Sequence, residues 1–221
     1  MSQILAAAPD EASAVFDVAA AMASITHSDV HTLAANPADY PDADSFLAEL
    51  SRPGTLLGVL VPHPTDLWQV IQRSDKPLIV VPRHFIVRSS PAISRVLVPL
   101  DGSTEAALTV RDTMRLLADA DVELIVLHVF DAAHTPMFWD QAAHARDGWE
   151  QEFRETCCIP PATKVELRRG TPGQRVVEVA AELHPDLVAL GWSQNLAPGR
   201  ARTVLTTVRD AKLPVMLVPV T

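Results

Sequence analysis

Cysteine is almost missing from this chain of 221 residues: there are two, and they are neighbours, Cys157 and Cys158. Adjacent cysteines are poorly placed to pair with each other, and two thiols build no disulfide framework. With no second Cys pair at metal-ligand spacing, an inert pair is expected. Long apolar runs are missing as well, none approaching the roughly 18 residues of a membrane span. The opening Ser2-Gln-Ile-Leu lacks the charged and apolar regions of a secretory signal, so a cytoplasmic protein without membrane association is expected. Basic charge is scarce too. The net charge is −9, with ten acidic against five basic residues over 1–92 and seventeen against thirteen over 93–221. Neither half is a basic module, which disfavours a nucleic-acid partner.

The common catalytic signatures are also absent. The eight histidines are scattered along the chain, and the acids between Asp39 and Asp44 lack the oxygen-ligand pattern of a calcium loop. Ser103 is not in a Gly-x-Ser-x-Gly elbow, and no Gly-x-Gly-x-x-Gly marks a dinucleotide site. A non-enzyme is expected, with no catalytic and no metal-binding residues.

What is present is apolar material for a core, 48% of residues, organised around Arg95-Val-Leu-Val-Pro-Leu-Asp-Gly-Ser-Thr104. Apolar residues on both strand faces indicate a buried parallel strand, and Asp-Gly-Ser-Thr supplies a tight turn and helix N-cap candidates. Glu105 to Ala118 then reads as a helix with Ala106, Leu108, Val110, Met114, Leu117 and Ala118 along one broad face. Val122 to Val129 is the next strand, which completes a βαβ unit. Ligands of doubly wound sheets sit beyond the carboxyl ends of such strands, where Asp101 stands. An Asp before Gly-Ser-Thr also makes an Asx-turn, and both roles stay open.

A shift of 92 positions lays Ile4-Leu-Ala-Ala-Ala on Val96-Leu-Val-Pro-Leu and Met22 on Met114. Nearer the ends a shift of 137 lays Lys76–Pro82 on Leu213–Pro219. The chain therefore reads as two copies of one design, a shorter domain over 1–87 and a complete one over 93–221. Between Val30 and Thr55 the first copy has 39 fewer positions than the second has between Val122 and Asp186. In that interval the second copy carries a helical stretch from Phe138 to Thr156, a strand Thr163–Arg168 and a helix Pro172–Leu183. The first has room for a Pro-rich loop and a helix Ser45–Leu50, so it lacks one strand and one helix. Its sheet should have four strands, with Pro37–Leu50 covering the edge at Ser28–Ala34. Each copy ends on strand, helix, strand: Leu56–Val61, Asp66–Arg73 and Leu78–Val81, then Leu187–Leu190, Thr203–Ala211 and Val215–Val218. Phe138, Trp139, Trp149 and Phe153 form an aromatic cluster expected in core or subunit packing, with a binding surface as the alternative.

The second half resembles the universal stress protein family in Val96-Leu-Val-Pro-Leu-Asp-Gly-Ser-Thr, Leu127-His-Val129, His184-Pro-Asp-Leu-Val-Ala-Leu-Gly191 and the closing Val208–Pro219. The resemblance implies a doubly wound parallel α/β sheet of the adenine nucleotide alpha hydrolase-like type, here in two tandem copies. It also implies dimers joined along the last strand, and an ATP-binding subset alongside members that bind no nucleotide. That subset is similar in having Gly, two residues, Gly, nine residues, then Gly and Ser or Thr. Gly191 fits the first position, Gln194 replaces the second, and Ala201 and Arg202 stand at the last in a loop shorter by three. Glycines let backbone N–H groups approach phosphate oxygens, so this loop reads as degenerate.

No cofactor is the first expectation. The alternative is ATP or AMP held by Asp101, Gly191, Gly199, Arg200, Arg202 and Thr203, with the arginines gripping phosphate and Thr203 as N-cap. In the first copy Leu60 falls at the position of Gly191 and Pro9 at that of Asp101, which suggests a structural role. The expected function is thus a non-catalytic stress-response or regulatory protein, and the alternative a nucleotide-binding regulator or slow ATPase. The resemblance further implies an intramolecular pseudo-dimer, with Leu78–Val81 antiparallel to Val215–Val218; the proline-bounded apolar runs at both places favour such pairing.

Overall fold

Nearly every position of the central strands is apolar, so these strands have no face to offer water and must be covered on both sides. The computed structural model describes residues 1–8, 14–34, 40–62, 67–86, 92–131, 143–197 and 201–220. Over the first half run β1 (Gln3–Ala7), α1 (Ala14–Thr26), β2 (Asp29–Ala34), α2 (Ala43–Leu50), β3 (Thr55–Leu60), α3 (Leu67–Arg73) and β4 (Leu78–Val80). The second half holds β5 (Arg95–Pro99), α4 (Thr104–Asp119), β6 (Glu123–Phe130), α5 (Ala143–Thr156) and β7 (Lys164–Arg169). It ends with α6 (Pro172–Leu183), β8 (Leu187–Trp192), α7 (Arg202–Asp210) and β9 (Val215–Pro219).

Among the described residues, nine strands join one sheet in the order β2-β1-β3-β4-β9-β8-β5-β6-β7. Pairing is parallel within each half and antiparallel only where β4 meets β9, through Leu78–Leu217, Ile79–Met216 and Val80–Val215. Alternation along the strands divides the core into two layers. Ile4, Ala6, Ile79, Val96, Val98 and Met216 point to the face covered by α1 and α4. Leu5, Ala7, Leu78, Val80, Leu97, Val215 and Leu217 point to the face of α2, α3, α6 and α7.

The two halves share one winding: their inner four strands are arranged alike, and β7 with α5 has no counterpart among the described residues of the first half. β2 is thus an edge strand, and Asp29, Val30, His31 and Thr32 are exposed. The predicted cover is not seen there. Its described part, α2, packs on β1, β3 and α3, because Ala43, Phe46, Leu47 and Leu50 form an apolar stripe that fits the sheet face. Gly58 makes the close approach possible, since a Cβ there would stand 2.8 Å from the Phe46 ring.

Three further expectations shift in register. On α4 the buried stripe is Ala107, Val110, Met114 and Leu117, while Leu108 is 47% exposed, since 107, 110, 114 and 117 follow the helical repeat more closely. α7 starts one residue earlier than predicted. In the first half an irregularity between Gln3 and Ile4 of β1 leaves Leu56 of β3 unpaired and exposed. Counting from the strand pairs, Val61 rather than Leu60 then occupies the place of Gly191.

Candidate functional site

The carboxyl ends of β5, β6 and β8 open on a cavity of about 680 Å³ between α4, α5, α6 and α7. That is within the usual range for small-ligand pockets. Asp101, Gly191 and Thr203, predicted from three separate segments, all line it.

Asp101 follows β5 in the turn that starts α4. Its Oδ1 accepts from the Ser103 backbone N–H at 2.9 Å and from the Ser103 hydroxyl at 2.7 Å, the Asx-turn arrangement. Ser103 Oγ in turn caps α4 by accepting from Ala106 N–H at 3.1 Å. The Asx-turn reading of Asp101 is therefore seen, and the residue also lines the cavity. Gly102 takes φ +87°, and a Cβ there would rest 3.4 Å from the His128 ring.

His128, on β6, is the residue the sequence analysis missed. It is 8% exposed, and its Nδ1 lies 2.9 Å from the Leu100 carbonyl, which assigns the ring proton to that nitrogen. Burial holds its pKa below the ordinary histidine value, against the opposing pull of the Leu100 carbonyl and Asp101. Around it stand Phe130, Phe153 and Trp149, with ring centres 4.5, 5.0 and 5.1 Å away, and Trp149 stacks on Phe153 at 4.8 Å. Trp149 and Phe153 of the predicted aromatic cluster thus wall the cavity, and Phe138 and Trp139 lie outside the described residues. The available signal was the parallel βαβ unit itself, which brings the ends of β5 and β6 to one edge. Asp131 and Glu152 add carboxylates on the same side.

The opposite wall is backbone. Gly191 ends the apolar run of β8 facing α4; a side chain there would reach to 3.5 Å of the Ala106 carbonyl and Thr109. Gln194 and Ala201, at the two places where the family resemblance would set glycines, adopt φ +57° and +53°. Four other non-glycine residues share positive φ among those described: His27, Asp121, Cys158 and His184. Each follows the end of a helix, where a left-handed cap is ordinary. Gln194 and Ala201 end no helix. The backbone shape expected of a glycine loop is therefore present at both positions, and the Gln194 side chain does not fill the cavity but turns away to donate to the Ser74 carbonyl of the first half.

α7 begins at Ala201, whose methyl side chain cannot cap it, so the N–H groups of its first turn have no side-chain acceptor there. Thr203 and Val204 of that turn line the cavity, and Thr203 sits inside the helix rather than at its N-cap. Arg202 is exposed and is not among the lining residues, because the helical turn directs it away from the side that Thr203 presents. Gly199 and Arg200 lie outside the described residues. Cys157 is buried and Cys158 exposed, and burial pushes the Cys157 thiol up to about 11, so it stays protonated at neutral pH. No cluster of three metal-ligating side chains occurs among the described residues, and no helix among them is long and apolar enough to cross a membrane.

No curated protein matches the chain in sequence. Among solved structures, a functionally unknown protein from Pseudomonas aeruginosa PAO1 superposes with a TM-score of 0.67 at 12% identity, over 99% of this chain and 92% of its own. A universal stress protein from Archaeoglobus fulgidus does so with a TM-score of 0.62 at 14% identity, over 90% and 74%. At such identities the likeness is one of fold. The family model described as universal stress protein matches residues 92–219, the stretch that carries every wall of the cavity. With that match over more than half its length, the chain belongs to the universal stress protein family.

Proposed function

We propose that this is a non-catalytic, cytoplasmic tandem universal stress protein with a regulatory role, whose second copy, residues 93–221, binds an adenine mononucleotide. The first copy, residues 1–87, serves as its partner in an intramolecular pseudo-dimer across β4 and β9. The observation that carries the nucleotide reading is the left-handed backbone at Gln194 and Ala201. Holding a non-glycine residue there costs roughly 1–2 kcal/mol, and strain of this kind gathers where a loop has a ligand to meet. The start of α7, without a side-chain cap from Ala201, favours a phosphate through the N–H groups of its first turn and the positive end of its dipole. At the other end, Asp101 and the aromatic wall suit the amino group and the flat face of a purine. A loop shorter by three residues suits one phosphate better than three. His128 is a poor acid or base, since one ring nitrogen is committed to Leu100 and burial disfavours its charge.

Calorimetry with AMP, ADP and ATP tests this reading. AMP should bind with a dissociation constant below about 100 µM, and Asp101→Ala should weaken it at least tenfold, about 1.4 kcal/mol. Arg202→Ala should leave affinity unchanged. Silence up to millimolar AMP would restore the reading favoured by the sequence, a loop with no nucleotide to hold.

A further inference from the structure

The loop after β8 belongs to the second half, yet its side chains end in the first. Trp192, 2% exposed at the end of β8, donates its indole N–H to the Ile71 carbonyl at 3.2 Å. Gln194 donates its amide to the Ser74 carbonyl. Both acceptors sit at the C-terminal end of α3, where the last helical carbonyls have no partner within the helix and seek donors elsewhere. Ser74 is itself 2% exposed and fixed, its hydroxyl donating to the Lys76 carbonyl at 2.7 Å. Two donors two residues apart thus bind one rigid helix end, and Leu196 packs into the apolar layer shared by α3 and α7. Between those anchors lies the strained position: glycine would take its φ freely, whereas Gln194 takes it with a side chain long enough to reach the other half.

We propose that Trp192 and Gln194 are positioning residues by which α3 of the truncated half holds the turn after β8 in its left-handed shape, so that the first half sets the ligand affinity of the second half's cleft. The affinity part of this rests on the nucleotide reading above; the tether itself does not. It gives the incomplete copy a task in the cleft of the complete one, and explains why a residue as long as glutamine stands where the turn would favour glycine.

The test uses the full chain with Gln194→Asn, which keeps an amide and tolerates left-handed backbone but is one methylene too short, and with Gln194→Glu, which removes the donor. Hydrogen exchange by NMR follows the Trp192 indole N–H, with the Met216 amide at the seam as the reference. Both variants should speed indole exchange at least tenfold with Met216 unchanged, and weaken AMP binding at least fivefold. Unchanged indole exchange would overturn the tether. Equal acceleration at Met216 would show a general packing role instead, and faster indole exchange with unaltered AMP affinity would refute control of the cleft. If the parent protein binds no AMP, the nucleotide reading fails alone, and the exchange measurement decides the tether by itself.

Discussion

The two halves wind the same way and differ in what was kept. The complete half flanks β6 with β7, wraps α5 over the ends of β5 and β6, and so walls a cavity. Without the counterparts of β7 and α5, the first half leaves β2 exposed, and Val61 replaces Gly191. It nevertheless retains the inner strands, the helix pair α2 and α3, and the seam strand β4 at full burial. The first half keeps its place in the sheet without such parts, because β7 and α5 lie at the far edge from the shared core. What goes with them is the wall that makes a pocket.

The largest effect should come at the seam both halves share. Ile79 is fully buried and faces Met216, so Ile79→Asp places a carboxylate where no partner exists. It should cost at least about 4 kcal/mol, seen as one cooperative loss of both halves in thermal unfolding. A variant in which the second half melted unchanged would show the halves to be independent.

Next come the repeat-related core residues Met22 and Met114, both essentially buried in the same layer. Each change to Ala should cost about 2–5 kcal/mol by denaturant unfolding. Values within about 1 kcal/mol of each other would show the two sites to be packed alike; a much cheaper Met22→Ala would mean that the core of the first half is the looser.

His128 separates the halves by pH. Burial disfavours its charged form in the folded state, so as pH falls below about 6.5 the unfolded chain takes up the proton first. The stability that His128 contributes is complete above that value and is lost as pH falls toward its folded pKa, by up to about 1.4 kcal/mol per unit. His128→Phe should flatten this part of the stability profile between pH 7 and 5. An unchanged slope would remove His128 as its source. The smallest effect is expected at Leu108, exposed despite its place in the apolar pattern: Leu108→Ser should change stability by no more than about 0.5 kcal/mol.

Apolar runs with turn signals were enough to read the parallel strands and crossover helices. α6 was read to the residue, Pro172–Leu183, since a proline at its start and Pro185 just past its end are local signals. Asp101 was legible because the end of a parallel strand is a position in the sequence as well as in space; Gly191 and Thr203 were reached through the family resemblance of the loop after β8. The tertiary structure alone decided the rest. Which face of α4 is buried, the one-residue slip at Leu56, and the gathering of His128 with Trp149 and Phe153 depend on contacts between segments distant in the chain. So does the shape of the loop after β8. Glycine is the residue type that signals a left-handed backbone from sequence, and here Gln194 and Ala201 adopt it, Gln194 with its side chain anchored on a helix 120 residues away. Local propensity specifies elements and turns; a backbone held against propensity is specified by the partners that hold it, and those exist only once the chain has folded.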